Sequence, residues 1–194
     1  MGRREKKSDK AKQVVMGIVI ALIMVLSTFG IIIGNQTSSL SYNGYKFQLN
    51  GNQYATKING KEMIFYSLPS QSDFINVSSS IPNKIKESYI VMLTFNPADK
   101  VNIQIIELVR FDLSQSLNKV ILDGVLNVST DYPSLPLITC ANATLKTPVI
   151  IMNMSDTPGI VDIDNCIYLN ARGTEFLRMR DRLLYSYYGV IKDE

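Results

Sequence analysis

Val14 to Ile33 is an unbroken run of twenty uncharged residues, and nothing in it is more polar than Ser27 and Thr28. Coiled into a helix at about 1.5 Å per residue, such a run reaches about 30 Å, the thickness of a bilayer's hydrocarbon core. A chain built around that run is expected to cross a membrane once and to fold on one side of it. The lipid bilayer, met through Val14 to Ile33, is its first expected partner.

Charge sets the expected orientation. Residues 1–13 hold six basic and two acidic side chains, net +4, while the remaining fourteen basic and fifteen acidic residues give −1. Lys and Arg beside a membrane helix stay on the cytoplasmic side and meet anionic head groups there. The expected layout is a cytoplasmic basic tail (1–13), a transmembrane helix (14–33), a juxtamembrane spacer (34–43) and an extracytoplasmic domain (44–194), with the N-terminus in. The near-neutral outer part gives no sign of a nucleic-acid partner. The apolar run exceeds the roughly 7–15 residues of a signal-peptide core, which favours a retained anchor. A pilin-type leader, cut near Lys10-Ala11-Lys12-Gln13, is the alternative that would turn the chain into an assembly subunit.

About 150 residues follow the spacer, enough for one domain with its own core. Tyr45 to Leu49 alternates apolar and polar side chains, and Gln53 to Ile58 and Lys61 to Leu68 follow it across Asn50-Gly51 and Asn59-Gly60. Asn-Gly between alternating segments favours a tight turn with positive φ, so three strands in an antiparallel meander are expected. Tyr45, Phe47, Leu49, Tyr54, Ile58, Met63 and Phe65 would form the buried face. Pro69 to Pro82 reads as a break. Tyr89 to Phe95 is a nearly continuous apolar run, as an interior strand requires. Asp99 can cap a helix carrying Ile103, Ile106, Leu113 and Leu117. Val120 to Val128, Leu135 to Thr139, Pro148 to Met152 and Cys166 to Leu169 read as further strands. A last helix begins near Gly173-Thr174 and ends at Gly189, with Phe176, Met179, Leu183 and Tyr187 inward and Arg178, Arg180, Asp181 and Arg182 solvated. The expected class is α/β or α+β: a transmembrane helix, then a mixed β-sheet domain with an N-terminal meander and helices packed on the sheet.

Cys140 and Cys166 both fall beyond the apolar run, each beside a strand-like segment. An even count in an oxidising compartment favours a disulfide, and closing that loop is worth about 3.5 kcal/mol on the chain-entropy model. Two buried thiols or a redox-active pair are the alternatives, and the latter lacks a Cys-x-x-Cys spacing. Five glycosylation triplets begin at Asn35, Asn76, Asn127, Asn142 and Asn153. Roughly two are expected by chance, so the excess agrees with exposure to a glycosylating machinery.

The chain has no histidine, which excludes Ser-His-Asp and Cys-His nucleophile pairs and imidazole-ligated zinc. It carries no Walker-type phosphate loop and no Gly-x-Gly-x-x-Gly. Asp162-Ile163-Asp164-Asn165 is the densest set of oxygen ligands; it reads either as a weak calcium site or, more simply, as a polar turn before a strand. No catalytic, cofactor-binding or metal-binding residue is therefore assigned, and no cofactor is expected.

The run Cys140-Ala141-Asn142-Ala143-Thr144, with Pro148-Val149-Ile150, Asn165-Cys166-Ile167, Asp181 to Tyr185 and Gly189, resembles an uncharacterised family of small single-pass archaeal membrane proteins. The resemblance covers 100–120 residues and implies an anchored layout and paired cysteines; it implies no activity. The expected function is a structural or recognition role toward an unknown protein or surface partner. A histidine-free enzyme, a thiol-redox protein and a pilin-like subunit are the other classes.

Overall fold

Four tight turns in which two successive residues reverse the chain set much of the architecture. Asn43-Gly44, Asn59-Gly60 and Asp164-Asn165 hold positive φ at both central positions, the geometry that matches the twist of the strands they join. The fourth, Gly51-Asn52, has positive φ at its glycine. The structure, a computed structural model, describes residues 5–34 and 40–193, with side chains of the first helix described from 12 to 27. The chain divides into two units, Met1–Ser38 and Ser39–Glu194.

The first unit is the helix α1 (Glu5–Gly34). Its charged first turns give way to Val14 to Leu26, which are exposed. Among the described residues no helix is long and apolar enough to cross a membrane. That overturns the expectation of a transmembrane helix over Val14 to Ile33.

The second unit is α+β, built on two sheets where one mixed sheet with a meander is expected. Strands β1 (Leu40–Tyr42), β2 (Tyr45–Asn50), β3 (Gln53–Ile58) and β4 (Lys61–Phe65) form a four-stranded antiparallel sheet in chain order. Strand β1 falls within the stretch expected as a spacer; Leu40 pairs with Phe47 and Tyr42 with Tyr45. Phe47, Ile58, Met63 and Phe65 are buried as expected, whereas Leu49, near the end of its strand, is exposed.

The second sheet has the order β6-β5-β7-β9-β8. Its strands are β5 (Ile90–Phe95), β6 (Val120–Val125), β7 (Val149–Met154), β8 (Gly159–Ile163) and β9 (Cys166–Ala171). β6, β5, β7 and β9 run parallel, and β8 returns antiparallel along the outer side of β9. β5 is interior, as its unbroken apolar run requires. Leu135 to Thr139 is not a strand; one bridge, between Val125 and Leu137, is all it contributes.

Helices α2 (Ser80–Glu87), α3 (Ile103–Ser116) and α4 (Glu175–Tyr188) cover one face of this sheet. Val91, Leu93, Phe95, Ile150, Met152, Ile167 and Leu169 face them and are fully or nearly fully buried. α4 also meets the first sheet, where Tyr185 stacks on Phe65 at 4.4 Å between ring centroids and takes Phe47 edge-on at 6.0 Å. Gly189 closes α4 in the left-handed conformation, its N–H returning to the last turn. Of the four charges of α4 expected to be solvated, only Arg178 is open to solvent; Arg180, Asp181 and Arg182 are at most 3% exposed. They tie α4 to segments distant in sequence. Arg182 donates to Ile75 O at 2.9 Å and to Ser186, Arg180 to Ile64 O at 2.8 Å, and Asp181 accepts from Tyr66 and Ser67.

Candidate functional site

Three places gather polar or exposed chemistry, and each can be built from its residues. The first is the α4 network. One oxygen of Asp181 accepts the N–H of Tyr66 at 2.7 Å, the N–H of Ser67 at 2.7 Å and the Ser67 hydroxyl at 2.9 Å; the other takes Arg180 at 2.7 Å. Complete burial pushes this carboxyl up to about 6, against the lowering pull of Arg180 and Ser67. Tyr66 donates to Asp112 at 2.8 Å, and burial together with that carboxylate pushes its phenol up to about 12. A phenol so placed keeps its proton at neutral pH. Ser67 and Tyr66 line a polar cavity of about 540 Å³ with Phe74, Glu175 and Arg178, yet their polar atoms are turned to Asp181 and Asp112. The arrangement holds two sheets together; it is not poised to transfer a proton.

The second place is a groove of about 510 Å³ beside the end of α3, lined by Asn59, Lys61, Gln115, Asn118, Lys119 and Tyr188. Its two amines are occupied by main-chain carbonyls. Lys61 donates to Gln115 O at 3.1 Å, and Lys119 to Lys86 O at 2.6 Å and Ser88 O at 2.7 Å. Cations at these positions satisfy the outward carbonyls of helix C-termini, a structural task.

The third place is the face of the five-stranded sheet turned away from the helices. A strap, residues 135–148, crosses its middle. Val125 N donates to Pro136 O at 3.0 Å, Ile138 N to Val125 O at 2.9 Å, and the Thr94 hydroxyl to Ile138 O at 3.0 Å. A disulfide joins Cys140 of the strap to Cys166 of β9, with Cα atoms 5.7 Å apart. Beneath it Ile138, Val149, Ile151 and Cys166 form a second small core. On either side the sheet stays bare. Val120 and Leu122 of β6 are 60% and 43% exposed on one flank, and Val161 and Ile163 of β8 are 42% and 55% exposed on the other. Leu137 and Leu145 of the strap add exposed apolar surface. Scattered exposed leucines need no explanation; side chains lined up on one face of ordered strands do.

The sequence motifs fall out as follows. The cysteines are bonded to each other, with Cys166 fully buried, which suits a clamp and gives a redox thiol no access. Asp162-Ile163-Asp164-Asn165 is a turn: Asp164 and Asn165 are its two positive-φ residues, and Asp162 is spent on Lys84 at 2.7 Å and Ser80 at 2.8 Å. Among the described residues no group of three or more Cys, Asp or Glu side chains is arranged to hold a metal ion. Asn76, Asn127, Asn142 and Asn153 are exposed, and Asn35 lies outside the described residues. Val120 and Leu122 were not legible as surface. The signal for them is that β6 is apolar at 120, 121 and 122, where an edge strand with one wet face should alternate.

The chain matches no family model, no curated protein and no solved structure. What its fold and surfaces define is an α+β, two-sheet domain with a disulfide-pinned strap.

Proposed function

We propose that residues 40–193 form an interaction domain that matures in an oxidising compartment, outside the cytoplasm, and works by contact with a protein partner. The observation that carries this reading is the Cys140–Cys166 bond, on a strap that leaves apolar side chains uncovered on both flanks of the sheet. Disulfides persist in oxidising compartments, and aligned apolar residues on a fixed face are how binding surfaces are built. The near-neutral charge beyond residue 13 fits a partner recognised by shape and apolar contact more than by electrostatic steering.

Two measurements test it. Thiols are alkylated in intact cells before lysis, and the cysteines are then reduced and labelled a second time. The expected result is that Cys140 and Cys166 escape the first label; labelling of both in the cell would overturn the placement. A photo-crosslinking residue at Leu122 is then compared with one at Lys57, on the exposed side of β3. Crosslinks concentrated at position 122 support the binding face, and equal or absent crosslinking at both positions rejects it.

A further inference from the structure

We infer that the protein partner is a second copy of this chain, added edge to edge along β6 so that two five-stranded sheets become one. This rests on the reading of the domain as an interaction module and names its partner.

β6 is the end strand of its sheet. Val120 N and Leu126 N donate to Tyr89 O at 3.3 Å and Phe95 O at 2.9 Å, so even positions bond toward β5. Val125, at an odd position, donates the other way, to Pro136 O. Ile121 and Asp123, with the same parity as Val125, therefore turn their N–H and C=O groups to the open side of the strand. The strap already pairs with this edge at Val125, which shows that the edge accepts a neighbour; among the described residues no strand pairs with the edge from Val120 to Asp123. An open row of this kind is a template for another strand.

The strand is self-complementary about Ile121. In an antiparallel pair centred there, Ile121 faces its own copy, and each Ile121 N–H meets the other's C=O. Asp123 N–H, of the same parity as Ile121, faces the same seam on either side of the axis. The pairing sets Val120 opposite Leu122. Four apolar side chains then meet across the axis on the bare face, while Asp123 stays on Arg110 and the Lys119 amine on the Lys86 and Ser88 carbonyls of its own chain. An apolar cross-strand pair of this kind is favourable, and a two-fold contact requires that one patch complement itself. A one-residue slip would set Val120 against Ile121, which point to opposite faces, and break the apolar pairing.

The test uses the full chain with its native disulfide. Chains carrying Val120→Cys are mixed with chains carrying Leu122→Cys and oxidised mildly. The expected result is a covalent dimer in the mixture and little in either variant alone, because only the mixture places two cysteines directly opposite. A dimer of equal yield in the unmixed samples, or none in any, overturns the register. Ile121→Pro removes the outward N–H at an edge position, where proline is tolerated. Leu122→Lys places a like charge near the axis from each chain. Both should weaken self-association by about tenfold or more in sedimentation equilibrium, while the far-ultraviolet spectrum stays unchanged. If Ile121→Pro does not fold, Leu122→Lys alone decides. A wild-type chain that sediments as a monomer at every concentration sinks this inference but leaves the interaction reading standing. Cysteines that are free in the cell sink that reading and leave the dimer in place.

Discussion

Ser67 gives both its main-chain N–H and its hydroxyl to one oxygen of Asp181, at 2.7 and 2.9 Å, across 114 residues of sequence. The contact fastens the end of the four-stranded sheet to α4, and Arg180 completes it from the other side. Replacing Asp181 by Ala strands a guanidinium and three donors in a site with no access to water. The expected loss is about 3–5 kcal/mol, read from urea unfolding, as for other buried pairs broken on one side. A loss below about 1 kcal/mol would mean that the network is dispensable.

The same carboxyl predicts a pH dependence. Burial first, against Arg180 and Ser67, lifts it to about 6 in the folded state, above its unfolded value. The folded chain thus holds this proton more tightly than the unfolded chain does. Its contribution to stability is fully present below the unfolded value and is lost as pH rises through about 6. The stability gap between wild type and Asp181→Ala should therefore shrink from about pH 4 to about pH 7. A gap that widens over that range would show that the hydrogen bonds outweigh the burial.

Much of the fold is legible in the residues, and what is hidden has physical causes. Asn59-Gly60 and the unbroken run ending at Phe95 announce their structures locally, because turn chemistry and two-sided burial act on neighbouring residues. Asn43-Gly44 carries the same turn signal, but Leu40-Ser41-Tyr42 is too short to alternate visibly, so β1 is not read. Gly159 to Ile163 is likewise masked by turn residues on either side. The apolar run from Val14 reads as a membrane span by length, whereas among the described residues no helix is long and apolar enough to be one. The buried charges of α4 were hidden for a deeper reason. Arg180, Asp181 and Arg182 satisfy groups at residues 64–67, 75 and 116, and no local periodicity encodes partners so distant. The candidate surface on β6 is hidden by the same rule. An apolar residue tells of a preference for burial, and only the fold tells whether anything buries it.

Gly124 permits the close approach of the strap to β6. A Cβ built there would lie 2.5 Å from two side-chain carbons of Ile138 and 2.7 Å from Pro136 O. Gly124→Ala should push the strap outward and cost about 1–3 kcal/mol, the range for an overfilled core. Thermal unfolding checks the cost, and faster amide exchange at Ile138 locates it. An unshifted melting temperature would show that the strap moves freely.

Phe65 tests whether the two sheets fold as one body. It is fully buried and stacked on Tyr185 of α4, with Phe47 meeting it edge-on at 6.3 Å. Phe65→Ala should lower stability by about 3–5 kcal/mol, and unfolding should remain a single transition. Two separated transitions, one following each sheet, would show that the four-stranded sheet is an independent module.

The disulfide is the last test, and it separates stability from recognition. Cys140 and Cys166 sit 5.7 Å apart at their Cα atoms, inside the range that a bridge spans without backbone movement. The bond closes a long loop, so its removal frees the unfolded chain more than it disturbs the folded one. The double substitution Cys140→Ala with Cys166→Ala should lower stability by about 2–5 kcal/mol in urea unfolding. The strap keeps three other holds on the sheet, from Val125 N, Ile138 N and Thr94 Oγ1, and these do not depend on the sulfurs. Below the lowered melting temperature the strap should therefore stay seated, and self-association through β6 should be unchanged. Protection of the Ile138 amide in hydrogen exchange reads the strap, and sedimentation reads the association. If protection is lost while the rest of the sheet holds, the disulfide is what seats the strap; if both persist, it serves stability alone.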